Sequence, residues 1–168
     1  MADFMPQVLF VCTGNVFRSV AAAYLLRAAF GATPRWHVGS AGTQGRGDPA
    51  SSLVQRALAH HGIDSGPHRS RLLTRTLLAE ADFVIALGVD HQQFIATTFK
   101  RRVPLFNELC HGQSAGVLDI HEVMDDWDTN HEAVRAHVIA TVAHVRASVP
   151  KLVRVLDDYG ARVWPGPV

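Results

Sequence analysis

Cys12 and Arg18 are separated by five residues in the stretch VLFVCTGNVFRSV, Val8 to Val20, and a hydroxyl residue, Ser19, follows the arginine. An apolar run ends at the cysteine, and an Ala- and Leu-rich segment begins just beyond the serine. A loop that leaves a strand and enters a helix N-terminus can turn successive backbone N–H groups into one concavity, which accepts a tetrahedral oxyanion. Gly14 lets such a backbone turn closely, and Arg18 brings a planar fork of donors to two oxygens of the same anion. Cys12, at the floor of the nest, would have its thiolate favoured by those N–H groups, by the helix dipole and by Arg18. Ser19 adds a hydroxyl that can bond the sulfur and also suits a first helical turn. The chemistry that suits an anion cradle above a sulfur nucleophile is phosphoryl transfer through a thiophosphate. Each feature has a bland counterpart: a cysteine closing a buried strand is commonly a small hydrophobe, and Cys-x5-Arg recurs by chance. The joint context of strand, glycine, asparagine, arginine, hydroxyl and helix favours the chemical reading.

These residues need a scaffold, and the rest of the chain alternates between strand and helix patterns. Val8 to Val11 reads as a strand buried on both faces, and Ser19 to Phe30 as a helix. Strands are expected near Trp36 to Gly39, at Phe83 to Leu87 and near Val103 to Phe106. Helices are expected near Ala50 to His61 and Asp90 to Phe99. Val134, Val138, Val142, Val145, Val149, Leu152 and Leu156 recur three or four apart, one apolar stripe on a long last helix that Pro150 interrupts. A polar, acidic loop from His111 to Thr129 is too long for mere connection. The alternation predicts an α/β fold, a three-layer sandwich with a four-stranded parallel sheet and helices on both faces. Ligands of such sheets bind outside the carboxyl ends of the strands, where Cys12 sits.

Composition limits the alternatives. The chain of 168 residues is 48% hydrophobic, enough for one well-filled core, and a single domain over 1–168 is expected. A formal net charge of +1, with 18% charged residues, leaves no footprint for nucleic acid or an anionic membrane. The first residues, MADFMPQ, carry no export pattern and no apolar run spans a bilayer, so a cytoplasmic location is expected. Two cysteines, Cys12 and Cys110, cannot build a disulfide framework. The glycine-rich GSAGTQGRG does not fit a dinucleotide loop, and no P-loop lysine motif occurs. Ten histidines show no metal-ligand spacing, and His131 and His137 in HEAVRAH fall on different helix faces. Neither a cofactor nor a metal is expected.

The stretch VCTGNVFRSV resembles the signature loop of the low-molecular-weight protein tyrosine phosphatases, approximately Val-Cys-x-Gly-Asn-x-Cys-Arg-Ser-Pro. The resemblance extends through GSAGT (Gly39–Thr43), GIDSGPHRSR (Gly62–Arg71), EADFVIAL (Glu80–Leu87) and VPLFNEL (Val103–Leu109), nearly the whole chain. It implies a phosphate-binding loop of Thr13, Gly14, Asn15, Val16, Phe17, Arg18 and Ser19 around the nucleophile Cys12. It further implies that Asn15 holds the unusual backbone of that loop, buttressed by Ser40 and His68. The resemblance also implies a general acid from an Asp-Pro pair followed by an aromatic residue, in the loop before the last helix. In EVMDDWDTN, aligning Trp127 with the aromatic assigns the acid to Asp125, with Asp126 in the place of proline, and sets Trp127 on the wall of the substrate cleft. The plain alternative is a solvated acidic loop capping the last helix.

The activity so implied is hydrolysis of a phosphotyrosine protein substrate through cysteinyl-phosphate, with inorganic phosphate as product. Phe17 replaces the second loop cysteine, Val20 the proline that would start the helix, and Gly88 an acidic residue after the third strand. Val16 lies where related arginine phosphatases carry threonine, and leans towards tyrosine. Protein arginine phosphatase, arsenate reductase on the same fold, and a non-catalytic oxyanion-binding module are the competing readings.

Overall fold

The computed structural model describes residues 5–163. Three parallel strands form the sheet: β1 (Gln7–Cys12), β2 (His37–Gly42) and β3 (Phe83–Ala86), in the order β2-β1-β3. Around them run α1 (Arg18–Phe30), α2 (Ser52–Ala59), α3 (Arg75–Glu80), α4 (Val89–Phe99), α5 (Phe106–His111), the single turn α6 (Ile120–Val123) and the long α7 (His131–Val163).

The central strand explains the layering. Successive residues of a strand face opposite ways, and in β1 both faces are apolar. Val8, Phe10 and Cys12 enter one core with residues of α1, α2, α5 and α7, while Leu9 and Val11 enter another with residues of α3 and α4. Val8 to Val11 have no exposed surface. The expected stripe on the last helix is the inner face of α7: Val138, Val142, Val145, Val149, Leu152 and Leu156 are buried, with Val134 only partly so. Truncating Leu152 or Leu156 to alanine should cost about 2–5 kcal/mol by the cavity left. Pro150 lies inside α7 without ending it.

The fourth strand expected near Val103 to Phe106 is reduced to one parallel bridge, Ala86 to Leu105. Proline has no N–H for a ladder; Pro104 contributes only its carbonyl, to the N–H of Ala86 at 3.0 Å. Phe106 already begins α5, so the segment turns away before a strand can extend. The sheet therefore has three strands, not four. The long loop from His111 also holds more order than expected, since Asp119 and Glu122 form a reciprocal capping box that starts α6.

Candidate active site

The loop between β1 and α1 is held from outside by its carbonyls. Those of Cys12, Thr13 and Val16 accept from the N–H groups of Thr43 (3.0 Å), Gln44 (2.9 Å) and Ser51 (2.8 Å). That of Asn15 meets His68 Nε2 at 2.7 Å. Gly42 permits the approach of the next strand end, because a Cβ there would lie 2.4 Å from the Thr13 carbonyl oxygen. The backbone N–H groups of Thr13 through Ser19, by contrast, donate to no acceptor among the described residues, and no side chain caps α1. With the carbonyls turned outward, the donors are left for an anion at the helix N-terminus.

Asn15 stands in the left-handed region, φ 55°, and is fully buried. Its amide orients a chain of bonds that ends on sulfur. The Arg71 N–H donates to Asn15 Oδ1 at 3.0 Å, which leaves Asn15 Nδ2 to donate to Ser19 Oγ at 2.8 Å. Ser19 Oγ lies 3.0 Å from Cys12 Sγ. The serine oxygen accepts from Asn15 and its hydroxyl is within hydrogen-bond reach of the sulfur. Cys12 itself is 2% exposed. His68 thus contacts the loop through its ring, whereas Ser40 makes its link through its carbonyl, which accepts from Arg71 Nε at 2.9 Å, rather than through its hydroxyl.

Arg18 is buried and tied to the segment before α6. Its Nη1 donates to the Val117 carbonyl at 3.0 Å, its Nη2 pairs with Asp119 Oδ2 at 2.9 Å, and Glu122 Oε2 lies 3.6 Å from Nη1. His91, near the start of α4, reaches the loop from the other side, its Nε2 2.8 Å from Thr13 Oγ1. Burial, with the positive charge of Arg18 beside it, pulls the pKa of His91 down to about 4 against the opposing effect of Asp90 and Asp119. The imidazole is therefore neutral at pH 7. Reading residues one by one did not single out Asp119, Glu122, His91 or Arg71 as site residues. The Asp119-x-x-Glu122 spacing was the available signal for the first two.

The two adjacent aspartates have different surroundings. Asp126 accepts from Asn130 Nδ2 at 3.0 Å, and its carbonyl accepts from the N–H groups of Thr129 and Asn130. Asn130 in turn accepts from Ala133 and Val134 at the start of α7. Asp126 thus braces the entry to the last helix. Asp125 is exposed and hydrogen-bonds to none of the described residues. Trp127 packs edge-on against His121, ring centroids 4.5 Å apart, and remains 45% exposed. Phe17 turns from the cleft into the core, its ring 6.1 Å from that of His137 on α7. Val20, in the first turn of α1, is likewise buried, and Gly88 is the N-cap of α4. Cys110 is buried in α5, and burial pushes its thiol up to about 11.

No helix among the described residues is long and apolar enough to cross a membrane. A probable low molecular weight protein-tyrosine-phosphatase, EpsP, of Ralstonia nicotianae is 38% identical over 145 residues, 85% of this chain and 98% of the relative. The solved structure of a low molecular weight protein tyrosine phosphatase from T. tengcongensis superposes with a TM-score of 0.75 at 27% identity, covering 89% of this chain and 98% of that one. A YwlE arginine phosphatase, solved as a cysteine-to-serine mutant with a phosphorylated active-site serine, superposes with a TM-score of 0.77 at 26% identity, over 90% and 95% of the two chains. Residues 7–157 match the low molecular weight phosphotyrosine protein phosphatase family, and the chain is a phosphatase of that family.

Proposed function

We propose that this phosphatase hydrolyses phosphotyrosine in proteins through a cysteinyl-phosphate on Cys12. The observation that carries the reading is the phosphate loop itself: outward carbonyls, N–H groups from Thr13 to Ser19 that no acceptor among the described residues claims, and a sulfur at the floor 3.0 Å from the Ser19 hydroxyl. In the first step the thiolate attacks phosphorus, an S–P bond forms and the P–O bond to the phenol breaks. The loop N–H groups and Arg18 stabilise the charge on the equatorial oxygens, and Asp125 gives its proton to the departing oxygen. In the second step Asp125, now carboxylate, takes a proton from water as the water attacks phosphorus. The S–P bond breaks and inorganic phosphate leaves. The chain's own donors supply the positive field throughout.

Asp125 is the better candidate for the acid because Asp126 is engaged with Asn130, and Asp119 is engaged with Arg18. Trp127, exposed on the same turn, is the residue assigned to flank an aryl group. A second reading, hydrolysis of phosphoarginine, is favoured by the likeness to the YwlE arginine phosphatase; the aliphatic side chain of Val16 argues for tyrosine. The test compares kcat/KM on matched phosphotyrosine and phosphoarginine peptides, for the wild type and for Asp125→Asn. The tyrosine peptide should be preferred. Asp125→Asn should slow release of tyrosine on the order of 100-fold and release of nitrophenol far less. Preference for the arginine peptide overturns the substrate assignment. Leaving-group dependence in Asp126→Asn instead moves the acid by one residue, and lack of any turnover leaves only an oxyanion-binding module. Reduction of arsenate with thiol would identify an arsenate reductase.

A further inference from the structure

A second positively charged concavity lies along the outer edge of β2. Arg27 of α1, with Arg69 and Arg71 from the segment before α3, lines a groove of about 460 Å³ together with Tyr24, His37 and His68. No carboxylate lines it. None of the three arginines has an ion-pair partner among the described residues; Glu80 acts on Arg71 only from a distance. Two of them cover the carbonyls that an edge strand leaves open: Arg27 Nε and Nη2 donate to Val38, and Arg71 Nε donates to Ser40. Arg69 Nη1 donates to the carbonyls of Gly66 and His68. Arg27 Nη1, Arg69 Nη2 and both terminal nitrogens of Arg71 donate to nothing among the described residues. Gly39 makes the room, since a Cβ there would lie 2.8 Å from Arg71 Nη2.

Three guanidinium groups without a counter-charge form an unneutralised field, and His68 senses it. Burial holds the pKa of His68 below its ordinary value, and Arg27, Arg69 and Arg71 each press it lower, against the hydrogen bond to Asn15. Guanidinium forks match the oxygens of a tetrahedral dianion better than any other side chain. The inner wall of the groove is also the outer wall of the phosphate loop, because the Arg71 N–H and His68 Nε2 both end on Asn15.

We infer that this groove is a second oxyanion site, which takes inorganic phosphate between Arg27, Arg69 and Arg71, and that its occupation is felt at the phosphate loop through Asn15. The site does not depend on Cys12 chemistry, so its test is separable from that of the catalytic reading. The ¹⁵N-labelled chain is titrated with inorganic phosphate, with sodium chloride of matched ionic strength as the control. Two groups of amides should move with different midpoints, Thr13 to Ser19 in one and Tyr24, Val38 and Arg71 in the other. In the double variant Arg27→Gln/Arg69→Gln the groove midpoint should rise at least tenfold while that of Thr13 and Gly14 stays put. In an Arg18→Ala chain the Asn15 amide should follow the groove midpoint. Groove amides that respond to phosphate no more than to chloride, or an unchanged midpoint in the double variant, would overturn the site. An Asn15 amide that ignores the groove overturns the coupling.

Discussion

The two halves of the candidate active site are built in opposite ways. Around the nucleophile, four loop carbonyls are bonded outward, Asn15 is buried at φ 55°, and its amide is fixed by the Arg71 N–H at one end and Ser19 at the other. Around the proposed acid, Asp125 lies in an exposed turn, and the segment that carries it is tied to the loop by the contacts of Arg18 with Val117, Asp119 and Glu122. The contrast follows from the tasks. A nest must hold its N–H groups in place before the anion arrives, since reorganisation during reaction would cost what the nest is meant to supply. A proton donor must reach the leaving group of a substrate that has first to enter.

The comparison can be broken at several points. The largest effect is expected at its centre: Cys12→Ser should lower turnover of an aryl phosphate on the order of 10⁴-fold or more. It should leave the binding of vanadate or phosphate in place, measured by thermal protection, because the nest survives without the nucleophile. Activity well above a trace in that variant would refute the covalent route.

Next comes acid sensitivity of the nucleophile side. The pKa of His91 lies near 4 in the folded chain and near 6.5 when unfolded. Between those values the unfolded state binds a proton that the folded state does not, so stability falls as pH drops through this window and changes little above it. The loss attributable to His91 is on the order of 3 kcal/mol by pH 4. Denaturant midpoints of wild type and His91→Asn, followed from pH 7 to 4, should show a clearly flatter dependence in the variant. Equal slopes would remove His91 from the account. His68 and His144 have lowered values too and set the residual slope.

Asn15 separates backbone from amide. Asn15→Ala puts alanine, which visits the left-handed region less readily than asparagine, at φ 55° and removes two hydrogen bonds, a loss of about 2–3 kcal/mol, with kcat/KM falling on the order of 100-fold. Asn15→Gly tolerates the backbone, so it should regain stability without regaining activity if the amide's bond to Ser19 is what matters. The smallest effects belong to the acid side. Asp119→Asn loosens Arg18 and should lower kcat/KM about tenfold with no new leaving-group dependence, whereas Glu122→Gln, 3.6 Å from Arg18 and half exposed, should stay within about twofold. A larger loss in the Glu122 variant would show that both acids share the task of holding the arginine.

How much could be read before the structure follows the same division. The nucleophile loop was legible because its parts are contiguous: strand, cysteine, glycine, asparagine, arginine and helix lie within Val8 to Phe30. Strong local patterns also announced β1, β3, α4 and the inner stripe of α7. Less legible were contacts that join distant segments. Nothing local to Arg18 indicates Asp119, 101 residues away, and nothing local to Thr13 indicates His91. The segment Val103 to Phe106 has a strand's composition, yet Pro104 and the immediate start of α5 leave a single bridge. Asp125 and Asp126 look equivalent in a run of acids; the bonds that Asp126 accepts from Thr129 and Asn130 distinguish them.

The burial of Phe17 has a consequence for survival under peroxide. A cysteine at that position could trap an oxidised nucleophile as a disulfide, a stage from which thiols recover the thiolate. Here the position is filled by a phenyl ring packed towards α7, and the remaining sulfur, Cys110, is kept as thiol by burial, a poor partner for a sulfenic acid. Oxidation at Cys12 is thus expected to continue to sulfinic and sulfonic acids, which cellular thiols do not reverse, and peroxide inactivation should be poorly rescued by thiol. Where a second loop cysteine would make a switch, Phe17 makes a fuse.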